Sequence, residues 1–183
     1  MMIPTFYTSR LILRELVESD AQSYERHFVD YRVIRTLAEG VPWPYPQGGV
    51  LRYIQTEIAP FQGVDRWTWA IALKEEPMDV IGAVDLFRQP RPANRGFWLG
   101  YEYWGRGYMT EALEPVTKYA FESLGLERLI FANAAGNVRS ARIKEKSGAR
   151  LIGIVSGSYV DPSLTEREMY ELTRADWQRL RAF

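Results

Sequence analysis

A glycine-rich corner at residues 104–107, with the sequence WGRG, constrains the fold more than any other stretch of the chain. Before it, the segment GFWLGYEY predicts a strand, and after it apolar residues recur every three or four positions from Tyr108 onward. That spacing predicts a helix packed along one face, and Gly125 is its expected end. The chain therefore contains a strand, a tight corner and a helix in direct succession.

The corner has two interpretations. It is either a simple connection or a site for a bound anion, because the first N–H groups of a helix have no acceptor inside the helix. Glycine at positions 105 and 107 would let the main chain approach phosphate oxygens, and the Arg106 guanidinium would lie beside them. A diphosphate would fit this corner, but these residues alone do not decide between the two interpretations.

The rest of the chain predicts a mixed α/β (α+β) fold in one domain covering residues 1–183. Alternating polar and apolar residues predict a first strand at 10–16, and Ser19 with Gln22 has the spacing of a capping box that begins a helix ending near Phe28. The remaining expected elements are helices at 30–37, 50–59, 108–124, 137–148 and 174–180, and strands at 66–74, 79–88, 94–103, 127–134, 150–160 and 165–173.

The composition excludes several classes of protein. Lys and Arg together number 23, as do Asp and Glu, so no broad basic field exists for nucleic acid or an anionic membrane. With no cysteine and one histidine, the chain has no disulfide, thiol nucleophile or His-based metal cluster. We therefore expect no metal, no nucleic-acid partner and no membrane partner. No apolar run is long enough for a membrane span or a signal peptide, so we expect a cytoplasmic protein.

A second helix carries polar residues in its first turn. In NVRSARIKEKSG, Asn137 and Ser140 lie one turn apart, where their side chains are neighbours, and Gly148 closes the helix. Asn137 as a simple cap and Ser140 as a solvated hydroxyl would explain this pattern equally well. The pairing of this helix with the glycine corner, with a strand between them, is rarer by chance than either motif alone.

Together these motifs resemble the acetyl-CoA core of the GNAT N-acetyltransferase superfamily, specifically its RimJ/RimL-type branch. The opening TSRLILRELVESDA and the closing YELTRADW extend the resemblance to nearly the whole chain. In the diphosphate loop the family has Arg or Gln, two residues, Gly, one residue, then Gly or Ala. Those positions hold Trp104, Gly107 and Met109 here, so the central glycine alone matches. The helical pattern N-x-x-S-x-x-x-x-E-K-x-G is met in full by Asn137, Ser140, Glu145, Lys146 and Gly148.

The resemblance implies a single mixed, mostly antiparallel sheet of about seven strands, with splayed central strands and flanking helices. Acetyl-CoA would be the cosubstrate, with its pantetheine arm beside residues 98–100, its diphosphate on residues 105–110 and its amides held by Asn137. Its thioester would point toward the splay, where an amine enters. The cofactor-binding residues implied in this way are Trp98, Leu99, Gly100, Trp104, Gly105, Arg106, Gly107, Tyr108, Met109, Thr110, Asn137 and Ser140.

Acetyl transfer without a cysteine favours direct attack by the amine in a ternary complex, since no nucleophile–base pair is evident for an acyl-enzyme. The amine must be neutral: at pH 7 about 0.04% of a lysine ε-amine is neutral, against about 10 to 17% of an α-amine. Asp85 or Glu102 would accept the proton, unless these carboxylates are paired in solvent with Arg88 or Arg106.

The departing CoA thiolate also needs a proton. Many members of the superfamily supply it from a tyrosine at the position that Lys144 occupies here. Ser140 is therefore the candidate proton donor, with Tyr101 or solvent as alternatives.

Other functions and the acceptor stay open at this point. A non-catalytic acyl-CoA-binding sensor or interaction domain would keep the cleft without acid–base residues, whereas a nucleotide-binding protein is disfavoured because no G-x-x-x-x-G-K-[ST] element is present. The acceptor is a protein N-terminus or a small amine, and residues 39–49 and 156–165 are expected to shape its pocket. Trp43 and Tyr45 in the first of these loops would be core contacts, pocket walls or contacts in a homodimer.

Overall fold

The computed structural model describes residues 3–182, and it contains two antiparallel sheets. The first sheet has five strands in chain order: β1 (Phe6–Tyr7), β2 (Leu11–Glu15), β3 (Arg66–Leu73), β4 (Gly82–Phe87) and β5 (Arg95–Leu99). The second sheet has the order β6, β8, β7 and is formed by β6 (Arg128–Ala134), β7 (Arg150–Ser156) and β8 (Glu166–Thr173).

Six α-helices accompany these strands in the described part of the chain. They are α1 (Ala21–Phe28), α2 (Tyr31–Ile34), α3 (Gly49–Tyr53), α4 (Tyr108–Lys118), α5 (Val138–Lys146) and α6 (Arg174–Arg179). Helices α3 and α4 each continue into a π-helical turn, Ile54–Ile58 and Tyr119–Ser123 respectively.

Two hydrophobic cores lie on opposite faces of the first sheet, because successive residues of a strand point to opposite sides. In β3, Trp69 and Ile71 belong to the core that α4 covers, whereas Ala70 belongs to the core that α1 and α3 cover. Helix α4, which begins at the glycine corner, is therefore fixed to the sheet along its buried side.

Asn94 joins the two sheets. It donates its N–H to the Ile130 carbonyl (2.8 Å), and its Oδ1 accepts the Ile130 N–H (2.9 Å). Its Nδ2 donates to the carbonyls of Phe87 and Arg88. Beyond this point β5 pairs with β4 alone among the described residues. The expected splay of the central strands is therefore present, and it begins at Asn94.

Helix α1 does not begin at a Ser19 cap, as the sequence predicted. A 3₁₀ turn, Glu18–Asp20, precedes the helix, and the Asp20 carboxylate accepts the Val17 N–H (2.9 Å). Arg14 donates to both oxygens of that carboxylate, at 2.7 and 2.8 Å. A buried carboxylate held by an arginine thus accepts a main-chain N–H at the start of the helix, the part of the capping box that Gln22 would have taken.

The strand number also differs from the expectation of about seven strands in one sheet. Within residues 3–182 there are eight strands in two sheets. The additional strand is β1, which has two residues, and the splay divides the expected single sheet in two. A two-residue strand is too short to give an alternating pattern in the sequence. The mixed, mostly antiparallel α/β class is confirmed, whereas one domain over residues 1–183 extends beyond the described residues and stays a prediction.

Candidate active site

The glycine corner has free main-chain donors at the start of α4. Gly105 and Gly107 have φ angles of 75° and 78°, which favour glycine because a side chain is rarely tolerated there. Gly107 is the N-cap residue, and no described side chain caps the helix. The N–H groups of residues 106–110 have no acceptor among the described residues, outside the helix's own hydrogen bonds. These donors and the positive end of the helix dipole form a site for an anion.

Arg10 stabilises the glycine corner and the first turn of α4. Its Nη1 donates to the Arg106 carbonyl (2.9 Å), its Nε donates to Glu111 (2.7 Å), and its guanidinium lies 4.4 Å from the centre of the Tyr108 ring. Thr8 donates to the same Glu111 carboxylate (2.6 Å); burial raises the Glu111 pKa, but the contacts with Thr8 and Arg10 together outweigh it and lower that pKa. The acidic side chain in the first turn of α4 is therefore neutralised by Arg10.

Helix α5 faces the corner with several cations. Arg139, Arg142 and Lys146 line the same cavity as the corner, and the Arg139 guanidinium lies 4.0 Å from the centre of the Trp104 ring. Sequence reasoning missed this cluster, although the spacing of the three residues on one helical face was available as a signal. A chain of zero net charge thus concentrates positive charge where phosphates would lie.

Asn137 and Ser140 occupy the first turn of α5, as the sequence predicted. Asn137 is the N-cap residue, and its Oδ1 accepts the Ser140 N–H (3.3 Å). Both residues also line the cavity, so the capping role and a role in binding are compatible.

One cavity of about 620 Å³ occupies the splay between β5 and β6. It extends from the glycine corner, past Phe97 and Asn133, to Val33 and Tyr159 on the far side. The predicted site residues that line it are Trp98, Leu99, Trp104, Gly105, Gly107, Tyr108, Met109, Thr110, Asn137 and Ser140.

Four predicted site residues lie outside this lining: Gly100, Arg106, Asp85 and Glu102. Gly100 follows β5 and donates its N–H to the Ile81 carbonyl (2.8 Å). Arg106 is exposed at the tip of the corner, and Glu102 is exposed on the turn that precedes it. None of the residues that line the cavity in the described part of the chain is acidic.

Asp85 belongs to a charged network on the first sheet, outside the cavity lining. Its Oδ1 accepts hydrogen bonds from Arg66 Nε (2.9 Å), Arg66 Nη2 (2.7 Å) and Thr68 Oγ1 (2.6 Å). Its ion-pair partner is thus Arg66, and not Arg88 as the alternative interpretation had it. Across the β4–β5 pairing Asp85 is the partner of Gly96, which lines the cavity.

Tyr101 and Trp104 flank the corner in different ways. Tyr101 is exposed on the outer turn, where the Arg32 guanidinium lies 3.7 Å from its ring centre. Trp104 donates its Nε1–H to the Leu99 carbonyl (2.7 Å) and packs beneath Arg139. Trp104 therefore fixes the end of β5 to the corner, at the position where the family has a basic or amide side chain.

Lys144, at the position of the family's tyrosine, is buried with an exposure of 1%. Its Nζ donates to Ser140 Oγ (2.7 Å) and to the Ser140 carbonyl (3.4 Å). Burial lowers the Lys144 pKa to about 7, the Arg95 charge adds to this effect, and Glu168 opposes it. No nucleophile–base pair was evident in the sequence, but the fold places a serine and a lysine of low pKa in contact.

The two loops expected to shape the acceptor pocket contribute unequally. No residue of 39–49 lines the cavity, because Trp43 packs against Tyr31 (5.2 Å between ring centres) and Tyr45 against Phe28 (5.4 Å). Tyr159, from the second loop, does line it. Within residues 3–182, no three His, Cys, Asp or Glu side chains are grouped as a metal site, and no helix has the length and apolarity to cross a membrane.

A cavity that begins at a free helix N-terminus and passes between splayed strands is the arrangement expected of an acyltransferase that uses an acyl-CoA. Residues 10–150 match the family model described as "Acetyltransferase (GNAT) domain". This match covers more than half of the chain, so the chain belongs to the GNAT acetyltransferase family, whose cosubstrate is acetyl-CoA. The resemblance and the acyltransferase class inferred from the sequence are confirmed.

Individual relatives agree with this assignment. The uncharacterised N-acetyltransferase YoaA of Bacillus subtilis (strain 168) is 29% identical over 156 residues, which are 84% of this chain and 87% of that protein. The ribosomal-protein-S5-alanine acetyltransferase of Vibrio fischeri has a similar structure, with a TM-score of 0.78 and 20% identity, covering 95% of this chain and 98% of that chain. Mycobacterium smegmatis RimJ in complex with CoA-disulfide gives a TM-score of 0.77 at 16% identity, covering 97% of this chain and 93% of that chain. These folds are consistent with the RimJ/RimL-type branch.

Proposed function

We propose that this protein transfers the acetyl group of acetyl-CoA to a primary amine, specifically the α-amine of a protein N-terminus, by direct attack in a ternary complex. The observation that carries the proposal is the continuous cavity, which connects the anion site at α4 to the far side of the sheet. Both substrates could occupy such a cavity together, as direct transfer requires.

The cosubstrate would be held by the residues that the sequence indicated. The free N–H groups of residues 106–110 and the guanidinium of Arg139 would bind the diphosphate. The unpaired edge of β5, at residues 98–99, would lie beside the pantetheine arm, and Asn137 would bind one of its amides. When bound there, acetyl-CoA supplies an activated acetyl group as a thioester.

The absence of carboxylates from the described cavity lining supports an α-amine as the acceptor. An α-amine is already about 10 to 17% neutral at pH 7, so it reacts without a strong base at its nitrogen, unlike a lysine side chain. The similar structure from Vibrio fischeri is that of a ribosomal-protein-S5-alanine acetyltransferase. A protein acceptor in that relative favours a protein N-terminus over a small amine here, and it fits a cytoplasmic location.

Proton transfer from the amine is the role we assign to Asp85, acting through water. Its Oδ1 is engaged by Arg66 and Thr68, but its Oδ2 accepts no hydrogen bond from the described residues. Asp85 pairs across the sheet with Gly96 in the cavity wall, whereas Glu102 is exposed on the outer turn. We therefore place the base at Asp85, and we expect Glu102→Gln to keep its activity.

A second candidate, an acyl-CoA-binding sensor without catalysis, is favoured by the same absence of carboxylates from the described cavity wall. Thiol release with a panel of amines separates the two functions. The panel contains a peptide with a free N-terminus, the same peptide with an acetylated N-terminus and an internal lysine, and a small primary amine.

We expect thiol release with the free N-terminus and an intersecting initial-velocity pattern, as a ternary complex requires. Parallel lines would contradict direct attack, and tight CoA binding with no thiol release on any amine would favour the sensor. Faster reaction of the small amine than of the peptide would overturn the protein acceptor.

A further inference from the structure

Resting on the proposed function, we propose that Lys144 is the proton source for the departing CoA thiolate, acting through the hydroxyl of Ser140. Lys144 does not line the cavity, whereas Ser140 does, so Lys144 is a positioning residue that acts through its neighbour.

Among the described residues, Lys144 Nζ makes hydrogen bonds with Ser140 alone. The two residues lie one turn apart on α5, and Lys144 Nζ lies 2.7 Å from Ser140 Oγ. The rest of its surroundings are aromatic, with the ring centres of Phe97 and Tyr170 at 5.5 and 5.8 Å from Nζ. Among the described residues, no carboxylate lies at ion-pair distance from Nζ. A buried cation without an ion-pair partner is costly, so a structural role alone gives a poor account of this lysine.

The charged groups around Lys144 favour loss of its proton. Arg95, on β5, is also buried, and its charge lowers the Lys144 pKa in addition to the effect of burial. Glu168, on β8, raises it, but that carboxylate already accepts hydrogen bonds from Asn133 (2.8 Å) and from the Tyr170 hydroxyl (3.0 Å). A lysine in these surroundings can both hold and release a proton near neutral pH.

Proton and electron movements balance in this step. The acceptor nitrogen forms a bond to the thioester carbon, the carbon–sulfur bond breaks, and its electron pair passes to sulfur. The Ser140 hydroxyl gives its proton to that sulfur, and Lys144 Nζ gives a proton to Ser140 Oγ. Lys144 is left neutral, and its proton returns from solvent in the cavity through the Ser140 hydroxyl before the next turnover.

The geometry favours Ser140 as a proton donor over Ser140 as a nucleophile. A nucleophilic serine requires free donors beside it to stabilise the oxyanion of the tetrahedral intermediate. Around Ser140 the N–H groups of Val138, Ser140 and Ala141 are already donated, to Gly136, Asn137 Oδ1 and the Asn137 carbonyl. The Arg139 N–H alone is left without an acceptor among the described residues here, so the start of α5 offers one free donor where the start of α4 offers those of residues 106–110.

The test compares Lys144→Met, Lys144→Arg and wild type, with the exposed Lys118→Met as a control, by measuring kcat as a function of pH. We expect Lys144→Met to lower kcat at least about tenfold with the KM for acetyl-CoA little changed, and to lose the fall in rate at alkaline pH. Lys144→Arg keeps the charge but holds its proton, so we expect the same losses. If the positive charge had only a structural role, Lys144→Arg would preserve it and would keep the kcat of wild type.

Three results separate the possibilities. An active wild type whose Lys144→Met variant keeps its kcat and its alkaline limb overturns this inference and leaves the proposed function intact. An acetyl group found on Ser140 by intact-protein mass spectrometry, after incubation with acetyl-CoA alone, overturns it in favour of an acyl-enzyme. A wild type that releases no thiol with any amine contradicts the proposed function and removes this inference with it.

Discussion

Replacing Lys144 by methionine should change the pH dependence of stability in a way that follows from its burial. The Lys144 pKa is lowered from its ordinary 10.5 to about 7 in the folded protein. The unfolded chain therefore binds more protons than the folded chain between these values, so the free energy of unfolding rises with pH across that window. Below about pH 7 the folded protein bears the full cost of a buried charge, roughly 5 kcal/mol at 1.36 kcal/mol per unit.

Methionine fills a similar volume without a charge, so Lys144→Met should be more stable than wild type at neutral pH. The stability advantage of Lys144→Met over wild type should shrink by about 2 kcal/mol between pH 7 and pH 9, because the cost of the buried charge in wild type falls as pH rises. The terms that do not depend on pH cancel when the advantage at the two pH values is compared. Urea unfolding at several pH values measures it, with Lys118→Met on the exposed α4 surface as the control. A stability difference that stays constant over this range would refute the reasoning.

Three further predictions concern other parts of the molecule. Asn94→Ala leaves the half-buried N–H of Ile130 without its acceptor, and should lower the free energy of unfolding by about 1–3 kcal/mol in urea titrations; full stability would show that the sheets are joined elsewhere. Asp85→Asn leaves the buried Arg66 charge unpaired, and should cost about 3–5 kcal/mol of stability as well as activity; an equally stable but inactive variant would make Asp85 purely catalytic. Arg139→Ala should weaken CoA binding and reduce its dependence on salt in titration calorimetry, which would not occur if Arg139 only packs on Trp104.

The sequence determined the local elements better than their assembly. The periodicity after Tyr108 and the cap at Asn137 were readable, because each depends on residues close in the chain. The junction at Asn94 was not readable, since it depends on a partner at Ile130 with no local pattern. The two-residue strand β1 was missed for a related reason, as it is defined only by its pairing with β2.

The candidate site divides in the same way. Residues of the two motifs line the cavity as expected, because each motif is contained within one turn and one helix. The roles of Asp85 and Lys144 could not be read from the sequence, since they depend on contacts across the sheet and on burial. Arg66 meets Asp85 only across the sheet, whereas Lys144 lies one turn from Ser140 on α5 and only its burial depends on the folded chain.

The affinity of CoA for Gly107→Ala and Gly125→Ala, compared with wild type by titration calorimetry, decides whether the main chain at the start of α4 holds the cosubstrate. Both glycines have a positive φ (78° and 71°), so both substitutions strain the backbone similarly, but they lie at opposite ends of the helix that begins at Tyr108. We expect binding at least about tenfold weaker, or 1.4 kcal/mol, for Gly107→Ala and almost no change for Gly125→Ala. Equal CoA affinity in the two variants would contradict a cofactor diphosphate held by the main chain at this corner.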